Sequence, residues 1–306
     1  MAFFDVPKST GPDDKTPEQF MANTARRLVT MGMHLPNHVI ESGRQWYPVV
    51  HEAAKKTVGM DTAEGRRIKD ISTAGGIIAA VSPNLDFDSR NIHAVTELAG
   101  LESSDWDMIR RSATAKQADG KTQAPRNPEV TAMLREKAPS LVSSYDTGLV
   151  KAHRLLSGDQ LRDVLPRASA PKTSHFADNI INPFEDTGVT VDYRHHDIVA
   201  NQMISPKVSR GISTADLKTA GRRTRYEDIE HITRLASTLA GKRDERFRGI
   251  LPHDMQAILW MGGKHIETQG GARRVGPARK GQPYTTETGA PLPRDAHFWV
   301  GTADHL

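Results

Sequence analysis

Lys172 and Asp192 are the two residues whose types and spacing could do chemistry together, since each stands near the predicted start of a helix. Both belong to the segment PKTSHFADNIINPFEDTGVTVD, residues 171–192. A carboxylate at a helix N-terminus could stabilise positive charge that develops on a sugar, and a desolvated amine could act as a nucleophile. Taken alone, the same residues are more typical of an N-terminal cap and a surface lysine, so both interpretations stay open.

A polar corner that follows the most apolar predicted helix offers candidates for substrate contact. It contains Asn84, Arg90 and Asn91. These side chains could contact a nucleotide, or they could cap the ends of neighbouring helices. His195, which comes shortly after Asp192, is a further candidate to line a cleft.

The same region suggests a metal site at first sight, because His195 and His196 stand between Asp192 and Asp197. Adjacent residues of a helix do not face one another, so the two histidines cannot easily bind one ion. We therefore predict no metal. The chain also contains no P-loop, G-x-G-x-x-G, G-x-S-x-G or H-E-x-x-H sequence, which removes support for nucleotide hydrolysis, Rossmann, lipase-type and zincin chemistry. No cofactor is predicted.

Basic residues cluster in two parts of a chain whose formal net charge is only +4. Clusters of this kind could neutralise the phosphates of a nucleic acid, and they could equally be a solvated loop and tail. The second cluster follows Gly270. The first cluster supplies our candidates for the nucleic-acid backbone, which are Lys207, Arg210, Arg222, Arg223 and Arg225.

The composition and the first residues of the chain favour a cytosolic protein. There is no cysteine, which excludes disulfides, thiolate zinc sites and iron–sulfur clusters. The first residues lack the basic and apolar regions of a signal peptide, and no apolar run is long enough to span a bilayer. We expect a cytoplasmic protein with no membrane partner.

The hydrophobic periodicity predicts an all-α fold with no convincing strand. The stretch 102–139 is set apart from the regular helices, and its polar piece 113–130 is predicted as an inserted loop. Residues 1–17 are predicted as a disordered lead-in and 269–306 as a Gly/Pro-rich basic tail. The predicted helices cover 18–30, 44–58, 68–81, 88–98, 147–156, a short segment from 159, 172–181, 190–203, 226–239 and 252–266.

The order of these elements resembles the helix–hairpin–helix (HhH-GPD) DNA glycosylase superfamily. The residues that carry the resemblance are IIAAVSPNLDFDSRNIHAV, the helix start at Lys172 and VTVDYRHHDIVANQM. It implies a two-lobed helical domain over 18–268, in which a lobe of residues 76–204 packs on a lobe of 18–75 and 225–268. It also implies a catalytic aspartate at Asp192 and a lyase-type lysine at Lys172.

This sequence departs from the superfamily at two places. The glycine-rich signature of the hairpin is absent, since the chain has PRASAPKTSHFA there, and in the superfamily that hairpin donates backbone N–H groups to DNA phosphate. Arg194 stands two residues after Asp192, where the superfamily has histidine, and His195 follows it.

A closer resemblance is to uncharacterised proteins of actinobacteriophages, and it covers about residues 40–265. It brings no established activity, but it implies a phage-encoded protein in the host cytoplasm. The shared motifs are WYP-x-x-H-x-A at 46–53, I-A-A-x-SP…N at 78–91, K-x-x-x-F-x-x-NI-x-x-P at 172–183, V-T-x-D at 189–192 and LP-x-x-x-QA-x-x-W at 251–260.

Together, the resemblance to HhH-GPD glycosylases and the resemblance to phage proteins imply an enzyme that flips a base out of double-stranded phage DNA. Asp192 would then cleave the N-glycosidic bond of that base. The base would be read by Asn84, Arg90, Asn91 and His195. Two alternatives stay open on the same fold. One is a transferase of thymine hypermodification, in which an amine replaces pyrophosphate on the base, and the other is a non-catalytic DNA-binding or virion-associated protein.

Overall fold

The computed structural model describes residues 17–83, 90–118, 127–200 and 225–268. Within these ranges the chain forms helices and turns, and its only β-type pairing is an isolated bridge between Asp61 and Arg67. The predicted all-α fold is therefore confirmed. The predicted lead-in, the tail and most of the basic segment before Arg225 lie outside the described residues.

Twelve α-helices and two 3₁₀ turns make up the described part of the chain. The 3₁₀ turns are Pro139–Leu141 and Glu245–Phe247. The helices are α1 Pro17–His34, α2 Asn37–Lys55, α3 Ile71–Val81, α4 Arg90–Ala99, α5 Ser103–Ala118, α6 Pro128–Lys137, α7 Asp146–Leu156, α8 Leu161–Val164, α9 Pro171–Ile181, α10 Tyr193–Ala200, α11 Arg225–Arg243 and α12 Pro252–Thr268.

The chain divides into two compact units, Met1–Trp46 with Phe184–Leu306, and Tyr47–Pro183. We call them the first and the second unit. The chain passes from one to the other within α2 and again after Pro183. The predicted lobes 76–204 and 18–75 with 225–268 stay a prediction.

The first unit is built around α1, α11 and α12, whose apolar faces share one core with α10. Leu28, Ile198, Ile232 and Ile258 are among its fully or almost fully buried residues. Gly43 of α2 lies directly against α12, where a Cβ atom on it would be 2.4 Å from Ile258 Cα. Only glycine permits that approach, and it fixes the helix that carries Trp260.

The second unit is built around α3, in which every residue from Ala74 to Val81 is buried. Helices α7 and α9 pack against α3. Helix α7 packs closely on α3 because Gly148 of α7 faces the backbone of α3. A Cβ atom on Gly148 would lie 2.5 Å from the Ala80 carbonyl oxygen. Asp70 begins α3 by accepting a hydrogen bond from the Thr73 N–H at 2.7 Å.

The stretch 102–139, where the sequence predicted no regular helix, contains α5 and α6, which also cover the two ends of the predicted loop 113–130. The prediction is wrong for those ends, and residues 119–126 lie outside the described residues. Helix α5 buries Trp106, Ile109 and Ala113, which recur at helical spacing within a polar sequence. Helix α6 begins where the Asn127 side chain accepts a hydrogen bond from the Glu129 N–H and Pro128 takes the first position. Three apolar residues in a polar stretch are enough for a helix that packs on one side only.

Candidate functional site

Asp192 lies at the N-terminus of α10, and its side chain caps that helix. Its Oδ1 accepts a hydrogen bond from the backbone N–H of His195 at 2.8 Å. The chain before it is fixed by Tyr226, whose hydroxyl donates to the Val189 carbonyl at 2.7 Å and accepts from the Val191 N–H at 3.1 Å. The position of the carboxylate is therefore set by two helices, α10 and α11.

Trp260 of α12 holds the second oxygen of the same carboxylate. Its indole Nε1–H donates to Asp192 Oδ2 at 3.3 Å. The sequence indicated a core residue, and Trp260 is indeed only 5% exposed, but its polar edge reaches the candidate site. The guanidinium of Arg194 lies over the indole ring, 5.5 Å from its centroid.

The Asp192 carboxylate is held by neutral groups. Both of its hydrogen-bond donors are neutral N–H groups, and it forms no ion pair with any residue of the described ranges. The N-terminus of α10 favours a negative charge at this point. The side chain is half-buried, so this carboxylate is held in a fixed orientation within reach of solvent.

His195 anchors α10 in the core of the first unit. Its ring is fully buried, and Nε2 lies 2.8 Å from Thr233 Oγ1. The Thr233 hydroxyl donates to the Ile229 carbonyl, so His195 Nε2 carries the proton and donates to Thr233. With no exposed surface, the ring has no access to a base in this conformation.

The other end of α10 is held by Arg27 of α1, which donates to the Val199 carbonyl. Burial lowers the pKa of the Arg27 guanidinium to about 10. A half-buried cation at the C-terminus of α10 has the sign that the helix dipole favours there. Both ends of α10 are therefore fixed by side chains from other helices of the first unit.

Lys172 lies at the second position of α9, in the second unit, and is half-buried. The residue that precedes the helix, Ala170, offers no side-chain cap, and Lys172 forms no ion pair with another residue that the structure describes. Asp192 belongs to the first unit. The pairing of the two residues stays a prediction.

The remaining predicted site residues fall at helix starts or outside the described ranges. Arg90 and Asn91 begin α4, and Arg225 begins α11. Asn84 and the basic residues Lys207, Arg210, Arg222 and Arg223 lie outside the described residues. Their predicted roles in base and backbone contact stay predictions.

A charged cluster in the second unit was missed by sequence reasoning. The carboxylate of Asp178, 6% exposed, accepts hydrogen bonds from Arg162 and from Arg167, the latter at 2.8 Å. Arg162 also donates to the buried hydroxyl of Ser174, one helical turn before Asp178. The available signal was the pair Ser174 and Asp178 on one face of α9, polar positions on a face that packs inward.

A second missed cluster surrounds His153 of α7. Its Nε2 lies 3.2 Å from Glu64 Oε2, its Nδ1 lies 3.3 Å from Arg110 Nη1, and its ring is 4.5 Å from that of Trp106. Arginine can only donate, so Nδ1 accepts and Nε2–H donates to Glu64. Burial lowers the pKa of His153. Burial alone would raise the pKa of Glu64, but hydrogen bonds from Ser103 and His153 outweigh it and lower that pKa.

Two further properties concern metals and membranes. In the described part of the chain, no three His, Asp or Glu residues are grouped so that they could hold a metal ion. None of the described helices combines the length and the apolar character needed to cross a bilayer.

Comparison with known proteins identifies a family for this chain. The sequence pattern of a family described as a family of unknown function (DUF7178) matches residues 13–266. No curated protein and no solved structure matches the chain.

Proposed function

We propose that this chain, which belongs to the DUF7178 family of unknown function, is an enzyme of DNA glycosylase type with Asp192 as its catalytic carboxylate. The observation that carries the proposal is the half-buried carboxylate of Asp192, fixed by the His195 N–H at one oxygen and by Trp260 Nε1–H at the other, with no ion pair to any residue that the structure describes. The resemblance of the segments around Asn84, Lys172 and Asp192 to HhH-GPD glycosylases adds support from the sequence.

The chemistry of N-glycosidic cleavage asks for such a group. As the bond between C1′ and the base nitrogen breaks, positive charge develops on the sugar, and a preorganised carboxylate stabilises it. Water then forms the new bond to C1′ and passes a proton to the carboxylate or the departing base. The products are a free base and an abasic site.

Trp260 and Arg194 have positioning roles in this proposal. The indole N–H fixes the rotation of the Asp192 carboxylate, and the guanidinium of Arg194 covers the indole ring. Cation–π contact at a partly buried ring is worth about 1 kcal/mol, enough to favour one ring position over another. Neither residue needs to contact the substrate to affect the rate.

The other predicted residues keep the roles that the resemblance implies. Lys172 is proposed as the amine of a lyase step, and Asn84, Arg90 and Asn91 as contacts to the flipped base. Flipping costs a few kcal/mol of unstacking, which contacts between basic residues and phosphates would offset. His195 enters the proposal as the anchor of α10, since its ring is buried.

The test is base release from duplex oligonucleotides that carry a panel of modified and mismatched bases. We expect a free base, detected by mass spectrometry, and an abasic site, detected by alkaline cleavage, for at least one duplex. Asp192→Asn should abolish both products. Asp70→Asn is the matched control, because Asp70 is also an N-terminal cap but belongs to α3. No product from any duplex, or equal product from Asp192→Asn, contradicts the proposal.

A non-catalytic DNA-binding protein is the second candidate, and one observation favours it. Both oxygens of Asp192 already accept hydrogen bonds from the protein, as expected of a purely structural cap. This candidate predicts DNA binding that is equal in the wild type and Asp192→Asn, with no base release by either. Altered nucleosides without base loss would instead indicate the transferase.

A further inference from the structure

The charged cluster around Asp178 holds more positive than negative charge. Arg162 and Arg167 both pair with this single carboxylate, so the cluster keeps a surplus of one positive charge. A buried carboxylate needs only one such partner to be neutralised. The structure therefore leaves unexplained why a second guanidinium is held here.

The two arginine side chains are far more exposed than the aspartate side chain that they contact. The Asp178 side chain is 6% exposed, whereas Arg162 and Arg167 are 47% and 55% exposed. Asp178 thus lies beneath the two arginines and fixes them from the protein side, with Ser174 fixing Arg162 a second time. Each guanidinium carries more N–H donors than these contacts use, and each side chain is about half-exposed.

We propose that Arg162 and Arg167 form a clamp for a phosphodiester of the DNA backbone. Planar guanidinium groups bind phosphate oxygens through paired N–H donors, and groups already held in place lose less side-chain entropy on binding. The surplus positive charge supplies the attraction, and Asp178 supplies the orientation. The inference rests on the proposed function, which supplies DNA as the partner.

A nearby arginine shows what an ordinary surface pair looks like in the same unit. Arg154 is 46% exposed and pairs with one carboxylate, Asp159, which is itself 41% exposed. That pair has no net charge, and its carboxylate is exposed, unlike the buried carboxylate of Asp178. Arg154 and Arg167 therefore match in residue type and exposure but differ in the charge that each pair leaves.

The experiment measures equilibrium binding of a fluorescent duplex over a series of salt concentrations, with all variants made in the Asp192→Asn background. Arg167→Gln should weaken binding about tenfold and reduce the slope of log affinity against log salt by about one. Arg167→Lys should keep most of the slope but lose part of the affinity. The lysine ammonium keeps the charge but cannot bind two phosphate oxygens through paired N–H donors as a guanidinium does. Arg154→Gln should change little. Thermal unfolding of each variant checks that it is folded.

The outcomes separate the clamp from the proposed function. If Arg167→Gln binds as the parent does, or if Arg154→Gln loses as much affinity, the clamp is wrong. If the parent binds no DNA, both proposals fail. If the clamp behaves as expected but wild-type protein releases no base, the clamp stands and the glycosylase proposal fails.

Discussion

Asp192 and Asp178 are both held by hydrogen bonds, but they are held by opposite kinds of donor. Asp192 is half-buried, caps α10 and accepts from two neutral N–H groups. Asp178 is buried in the second unit and accepts from two arginines. One site therefore keeps a negative charge and the other a surplus positive charge.

This difference in hydrogen-bond donors indicates what each carboxylate is suited to do. A charge that neutral donors hold remains available to stabilise a cation that forms later, which is the requirement of electrostatic catalysis. A charge that two guanidinium groups enclose is already neutralised, so its remaining effect is to fix them in place. We therefore expect substitutions of Asp178 to change stability and those of Asp192 to change activity.

The largest effect on stability is expected from Asp178→Asn. The two arginines lose their shared anion, but they are about half-exposed and recover part of their hydration. A buried pair costs 3–5 kcal/mol to break, and the exposure of the arginines reduces this to about 2–3 kcal/mol. Urea unfolding measures it. Asp159→Asn, at the exposed pair with Arg154, should lower the free energy of unfolding by less than about 0.5 kcal/mol. Equal losses for Asp178→Asn and Asp159→Asn would show that the buried cluster is no more stabilising than an exposed pair.

A smaller effect, about 1–2 kcal/mol, is expected from Trp260→Phe. The change removes the donor to Asp192 Oδ2 and part of a buried ring, while it leaves the charge of Asp192 unchanged. In the base-release assay, kcat should fall about tenfold with KM nearly constant, because the carboxylate loses its orientation and not its contact with substrate. A rise in KM with constant kcat would show that Trp260 binds DNA directly.

Much of the fold could be predicted because helical periodicity reports burial on one face. The predicted helix over 172–181 agrees with α9 to one residue at its start, and that over 147–156 agrees equally with α7. The pattern failed for α5, where Trp106, Ile109 and Ala113 are the buried apolar residues in a mostly polar sequence. One glycine and two prolines between residues 120 and 128 led to the prediction of a loop over 113–130.

The environment of the candidate site could be predicted only in part. The sequence indicates that Asp192 begins a helix, because an apolar segment precedes it and an amphipathic one follows. It does not indicate Trp260 as a partner, since the two residues are 68 positions apart and meet through the packing of α10 on α12. This contact depends on long-range packing, so local sequence patterns do not predict it.

A stability loss of about 1 kcal/mol or less is expected for Asp192→Asn. Asparagine caps helices about as well as aspartate, but its amide has one oxygen, so either the His195 N–H or Trp260 Nε1 loses its acceptor. Thermal unfolding beside Asp178→Asn gives the comparison directly. A loss at Asp192 that equals the loss at Asp178 would show that its role is structural after all.

The smallest effect concerns pH and compares a carboxylate held by arginine with one held by histidine. Arginine keeps its charge across the range in which proteins are folded, whereas His153, the partner of Glu64, titrates. Burial lowers the pKa of His153 below its unfolded value of about 6.5, so the unfolded chain binds more protons between the two values. The stabilising contribution is complete above about pH 6.5 and is lost as the pH falls through the folded pKa. The lowered pKa of Glu64 adds a loss of the same sign below about pH 4.5.

His153→Gln should therefore flatten the stability profile of the protein between about pH 7 and pH 5. The amide of glutamine can still donate a hydrogen bond to Glu64 but does not titrate. The comparison therefore separates the effect of protonating His153 from the effect of losing this hydrogen bond. Urea unfolding at several pH values measures it, with Arg167→Gln as a control that leaves the histidine in place. If the wild type becomes more stable on acidification in this range, protonation strengthens the pair with Glu64 by more than burial opposes it, and the neutral His153 deduced from its contact with Arg110 is wrong.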